Sequence, residues 1–149
     1  MAEETNKEYD DLLNKTWLKV RKKHFFPELP KPDISRSLGD VALDIKSKKT
    51  TLNYHFLKEN STSLPVERVM EALLDHSVAH YTICPWDLYT YMILYRIARK
   101  VLNDKGMALT ATSYFMDVVV DTHCFKEKDT PLSDLYRHME KKTILDEVI

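Results

Sequence analysis

The chain has 149 residues, enough to bury a core without disulfide staples, and its 44% hydrophobic and 30% charged content is that of an ordinary globular protein. With 22 basic against 23 acidic residues the formal charge is -1, so bulk electrostatics excludes a strong pull toward nucleic acid or an anionic membrane. Glycine occurs only at Gly39 and Gly106, which excludes the glycine-rich phosphate loops of P-loop and dinucleotide-binding proteins.

Residues 6–23 read as a first helix, because Tyr9, Leu12, Leu13, Trp17 and Val20 recur at helical spacing. Lys15, Lys19, Arg21, Lys22 and Lys23 make its end basic, as a helix C-terminus favours. Pro27, Pro30 and Pro32 then predict an extended connector. Residues 41–46 and 50–57 alternate well enough for two strands, joined by a turn at Ser47, Lys48 and Lys49. In the second strand Leu52, Tyr54 and Phe56 share one face and His55 takes the other.

A helix start follows, with Ser63 near the N-cap, Pro65 in the first turn and Glu67 suited to the positive end. This helix is expected to run to about Thr82 and to be ended by Pro85. Pro85, Trp86 and Asp87 open the next, with Tyr89, Tyr91, Met92, Ile93, Tyr95, Ile97 and Val101 along it and Gly106 as its stop. A fourth helix is expected over about 110–123, and Asp129, Thr130 and Pro131 open a last, polar helix to about Lys142. The fold class expected is α+β: one mainly helical domain over 1–149, with a small antiparallel sheet before the helix that carries His76 and His80. Two cysteines, Cys84 and Cys124, make no secreted framework, residues 1–11 do not read as a signal peptide, and no apolar run approaches the roughly 18 residues of a membrane span. The expected location is the cytoplasm, with both thiols reduced.

His76 and His80 are four apart, so both imidazoles leave one face of the helix, one turn from each other. That spacing lets two ring nitrogens reach one ion at about 2.0–2.1 Å. Val69 and Leu73 continue the same stripe, so the histidines are expected to face inward. Taken alone, such a pair is also compatible with two boundary histidines satisfied by hydrogen bonds. The fourth helix sharpens the matter. It is apolar on nearly all sides and therefore expected to be buried, yet it carries Asp117 and Asp121, again four apart. A buried carboxylate costs several kcal/mol unless paired or bound to a cation, and the helix supplies no Lys or Arg. A metal shared by His76, His80 and Asp117 is one solution, with Asp121 orienting a ligating histidine through its other ring nitrogen. The other is an exposed acidic stripe meeting Arg96 or Arg99. Cys84 and His123 are lesser alternative ligands, the first at the helix-ending Pro85 and the second off the acidic stripe.

With these residues in view, the pattern over roughly 40–125 resembles the zincin-like metallopeptidase group, in particular its small prokaryotic members with a short sheet before the histidine-bearing helix. The resemblance runs through Asn53-Tyr54-His55-Phe56, His76-Ser77-Val78-Ala79-His80, Tyr81, Cys84-Pro85-Trp86-Asp87 and Asp117-Val118-Val119-Val120-Asp121. It implies a zinc site with His76 and His80 as ligands, Asp117 as the third and Asp121 behind them. In that group the residue after the first histidine is Glu, the general base toward zinc-bound water. Here it is Ser77, and a hydroxyl without a neighbouring base does not do that work near neutral pH.

The function expected is that of a zinc-binding, zincin-fold protein without standard peptidase activity, whose pocket serves an unidentified protein or peptide partner. Two competitors stand beside it: a metal-dependent hydrolase with an atypical base, and a metal-free interaction module that uses the tyrosine-rich helix from 86 to 103. For that helix, ordinary core packing of Tyr89, Met92, Ile93 and Ile97 is the bland expectation. A DNA-reading helix is disfavoured, because residues 86–95 carry almost no basic or amide side chains.

Overall fold

A computed structural model describes residues 2–36, 42–44, 46–126 and 129–148. Six helices and three short strands follow in the order α1 (Ala2–Lys23), β1 (Asp33–Ser35), β2 (Ala42–Asp44), β3 (Lys49–Asn53), α2 (Tyr54–Asn60), α3 (Val66–Thr82), α4 (Leu88–Val101), α5 (Lys105–Cys124) and α6 (Pro131–Val148). The fold is mainly helical α+β. No described helix is long and apolar enough to cross a membrane.

The sheet is mixed, in the order β1-β3-β2. β2 and β3 form the expected hairpin, with Ala42 opposite Thr51 and Asp44 opposite Lys49. The expectation of a purely antiparallel sheet is corrected by β1, which pairs parallel to β3 from Asp33 opposite Thr51 to Ser35 opposite Asn53. This strand comes out of the proline-rich connector, where three residues leave no alternation to read. Val41 and Ile45 of the expected first strand lie outside the described residues.

The second strand is also shorter than expected. It ends at Asn53, whose side chain accepts from the Phe56 N–H at 2.9 Å and so caps α2. Tyr54, His55 and Phe56 are therefore helical, and His55 is exposed. Ser63 does not cap α3. Pro65 occupies that position without a side-chain bond, and the Ser63 hydroxyl meets His138 Nδ1 at 2.7 Å. Gly106 does not stop α4. It lies in the first turn of α5, which begins earlier than expected because Asp104 caps it through the Met107 N–H.

α3 is the hub, packed on α1, α5 and α6. Leu13, Trp17 and Val20 of α1 meet Val69, Met70, Leu74 and Val78 of α3, with Leu52, Leu57, Leu132 and Leu135 closing the same core. A smaller cluster of Ala79, Cys84, Met116 and Val120 joins α3 to α5, with Tyr91 and Leu94 of α4 against it. His76, His80 and Asp117, the candidate site residues, lie beside that second cluster.

Candidate metal centre

α5 docks through one stripe, Ala108, Thr112, Met116 and Val120, each four residues from the last. Asp117 and Asp121 follow Met116 and Val120 directly, so they sit about 100° around the helix, on the flank of that contact. There they meet His76 and His80 of α3. The two Nε2 atoms are 3.0 Å apart. Asp117 Oδ1 is 3.1 Å from His80 Nε2 and 3.5 Å from His76 Nε2. His80 is buried and His76 is 21% exposed, whereas the Asp117 side chain is 46% exposed.

The expectation that α5 is buried on all sides is therefore wrong. Only its docking stripe is buried, and Tyr114, Phe115 and Val118 face out. Burial cost alone cannot argue for a cation at Asp117. A count of donors can. The second nitrogen of each ring faces a pure acceptor: His80 Nδ1 lies 2.8 Å from the Cys84 carbonyl, and His76 Nδ1 lies 2.9 Å from Asp121 Oδ1. Both Nδ1 atoms must then carry the proton, and a neutral ring keeps a bare lone pair on Nε2. Burial, followed by the neighbouring His76, pushes the His80 pKa below its usual value and holds that ring neutral, against an opposing pull from the Cys84 carbonyl and Asp117. Three acceptors, Nε2, Nε2 and Oδ1, thus converge with no donor of their own among the neutral forms. A proton, a cation or a donating water closes such a cluster. A tetrahedral ion with bonds of 2.0–2.1 Å spaces its ligands about 3.3–3.4 Å apart, close to the separations seen here. These three residues form a group able to hold a metal ion.

Around the triad the supporting contacts are specific. Asp121 takes His76 on Oδ1 and the Tyr136 hydroxyl on Oδ2, the latter at 3.0 Å. Burial and the adjacent Asp121 raise the Tyr136 pKa well above the ordinary phenol value, so the phenol stays protonated and donates. Neither Tyr136 nor the Cys84 carbonyl is signalled by residue spacing: Tyr136 arrives from α6 through tertiary packing, and any residue owns a carbonyl. The Asp117–Asp121 stripe does not run to Arg96 or Arg99. The Arg99 guanidinium instead donates to the carbonyls of Leu102 and Asn103. Cys84 supplies its backbone oxygen, and burial raises its thiol pKa. His123 sits elsewhere, on a cleft with Lys23, His24 and Lys126.

No family model, curated protein or solved structure matches this chain.

Clefts open on both sides of the triad. One, of about 270 Å³, is lined by His80 and Asp117 together with Tyr81, Trp86, Tyr91 and Met116. The other, of about 400 Å³, is lined by His76, Ser77 and Asp117 with Phe56, Leu73 and Tyr136. Both are largely apolar with a polar edge at the triad, the usual composition of a small-ligand or side-chain pocket. Ser77 is fully buried, and its hydroxyl donates to the Leu73 carbonyl at 2.7 Å. Asp75, Glu71 and Glu67, the acids of α3, point to the opposite side, where they pair with Lys23, Lys19 and Lys15.

Proposed function

We propose that this chain binds zinc through His76, His80 and Asp117, in a zincin-like arrangement that has lost its peptidase base. The observation that carries the reading is the convergence of three lone pairs, with each imidazole already turned by an acceptor on its far side. Two imidazoles and one carboxylate suit zinc and leave a coordination position open. A bound ion of that kind supplies Lewis acidity and an activated water.

The chain's own groups stop short of hydrolysis. Ser77 stands where the base would be, and its hydroxyl is spent on the Leu73 carbonyl. Asp121 is the nearest further carboxylate, and both of its oxygens are engaged, one orienting His76 and one accepting from Tyr136. What remains is a metal held beside two apolar clefts, suited to capturing a side chain or chain end of a protein or peptide partner rather than cleaving it.

Elemental analysis of tag-free protein tests the reading, with about one equivalent of tightly held zinc expected per chain. Less than about a tenth of an equivalent contradicts it. Peptide hydrolysis should be absent in the zinc-loaded protein and gained in Ser77→Glu, whose longer side chain can extend into the cleft that Ser77 lines. Turnover by the unaltered protein contradicts the loss of the base.

A further inference from the structure

We infer that the smaller cleft beside the triad receives the C-terminal residue of a peptide or protein when that residue is aromatic, its ring in the cleft and its carboxylate on the zinc. The inference rests on zinc being held by His76, His80 and Asp117. The two clefts differ in what they can hold. The smaller, of about 270 Å³, is walled by Tyr81, Trp86 and Tyr91 with Pro85 and Met116. Sites for whole small molecules run from roughly 300 to 1,000 Å³, so this one suits a single large side chain. Aromatic rings and a thioether are favoured neighbours for another aromatic ring. The larger cleft, of about 400 Å³, is walled mainly by aliphatic side chains such as Leu73, Leu132 and Leu135.

The walls of the aromatic cleft are fixed from behind. Tyr81 is buried, and its hydroxyl donates to the Lys49 carbonyl at 3.0 Å. Met116 is buried in the contact between α3 and α5. Trp86 is 50% exposed and has φ +54°, a left-handed conformation that bulky residues seldom adopt. Its N–H donates to the His80 carbonyl at 2.9 Å, which ties this wall to the residue that ligates the metal. Strain of that kind concentrates at ligand clamps.

Charge selects the chain end. Among the described residues neither cleft is lined by Lys or Arg, so an acidic side chain finds no partner in them. Two neutral imidazoles and one carboxylate leave a divalent ion with one positive charge, which one further carboxylate neutralises. His80 and Asp117 form the edge of the aromatic cleft, so the metal they hold lies at its mouth. A C-terminal residue carries its carboxylate and its side chain on the same carbon, so one can reach the metal as the other fills the cleft. Leu43 and Asp117 line both clefts, which places the larger one beside the residues that precede the chain end. A free aromatic acid would leave that larger cleft unused.

Calorimetric titration of the zinc-loaded full chain tests the inference, with zinc content measured on the same sample. The probes are N-acetylglycyl-phenylalanine, its C-terminal amide, N-acetylglycyl-alanine and 3-phenylpropanoate. The phenylalanine acid is expected to bind at least about tenfold tighter than the alanine acid, through its buried ring. It should also bind at least about tenfold tighter than its amide, which lacks the charged ligand, and tighter than phenylpropanoate. Binding should vanish after chelation. Trp86→Ala, which removes a half-exposed wall, and Ser113→Phe, which fills the cleft from an exposed position, should each weaken it about tenfold or more with zinc content unchanged. Zinc-loaded protein that binds none of the probes, or that prefers the alanine acid, the amide or the free acid, would overturn the inference and leave the zinc reading standing. So would two zinc-loaded variants that bind as the unaltered chain does. A chain that holds no zinc would overturn both.

Discussion

α3 carries ionisable residues at four-residue spacing on two sides, Glu67, Glu71 and Asp75 on one and His76 and His80 on the other, and the two sides of the helix treat them in opposite ways. On the α1 side Glu71 meets Lys19 at 2.7 Å, and Asp75 meets Lys23 at 2.7 Å and His24 at 3.2 Å. Every buried acceptor there has a donor from the same chain. On the α5 side His76 and His80 meet Asp117 and Asp121, and the two Nε2 atoms and Asp117 Oδ1 lie within 3.5 Å of one another. The comparison teaches that a spacing motif on a helix does not distinguish a structural ion-pair cluster from a ligand site. The balance of donors and acceptors across the contact does.

Four substitutions break or sharpen that contrast. The largest effect is expected from His80→Ala, which removes the most buried member of the triad: bound zinc should fall from about one equivalent to near none by elemental analysis, with the helical content kept. Asp121→Ala leaves His76, His80 and Asp117 in place and frees His76 to turn, so zinc affinity by competition with a chromophoric chelator should weaken by about 10–100-fold. Lys23→Ala acts on the other side of α3. It leaves Asp75, 2% exposed, with His24 as its remaining partner in the described structure, and should cost about 1–3 kcal/mol in urea unfolding with zinc content unchanged. If that variant instead lost zinc, the two sides of the helix would not be independent. The smallest effect is expected from Tyr136→Phe, which removes one donor to Asp121: about tenfold or less in zinc affinity and about 1 kcal/mol in stability.

Much of the helical framework was legible because its buried stripes are regular. Leu13, Trp17 and Val20 on α1, and Val69, Leu74 and Val78 on α3, follow the helix period that periodicity reads. The local errors have local causes. Tyr54-His55-Phe56 alternates like a strand, but Asn53 before it makes a helix cap. Gly106 resembles a stop, but Asp104 two residues earlier starts the next helix. β1 and its parallel pairing were hidden because three residues carry no pattern. The orientation of α4 was illegible for another reason: apolar residues at helical spacing look the same whether they face a core or solvent, and Tyr89, Met92, Ile93 and Ile97, expected in the core, are exposed.

At the site, His76, His80, Asp117 and Asp121 were legible as two pairs on two helices, and the contact between those helices brings them together. Burial of Asp117, expected from the apolar helix around it, does not hold, since that side chain is nearly half exposed. Tyr136 and the Cys84 carbonyl, which set the orientation of Asp121 and His80, come from tertiary contact and from the backbone. Neither leaves a mark in residue order.

X-ray absorption at the zinc edge, on protein loaded with one equivalent, probes the central claim most directly. Two imidazole nitrogens and one carboxylate oxygen at about 2.0–2.1 Å, with that shell lost in His80→Ala, are the expected result. A first shell of water oxygens alone, or a spectrum unchanged by His80→Ala, would contradict it.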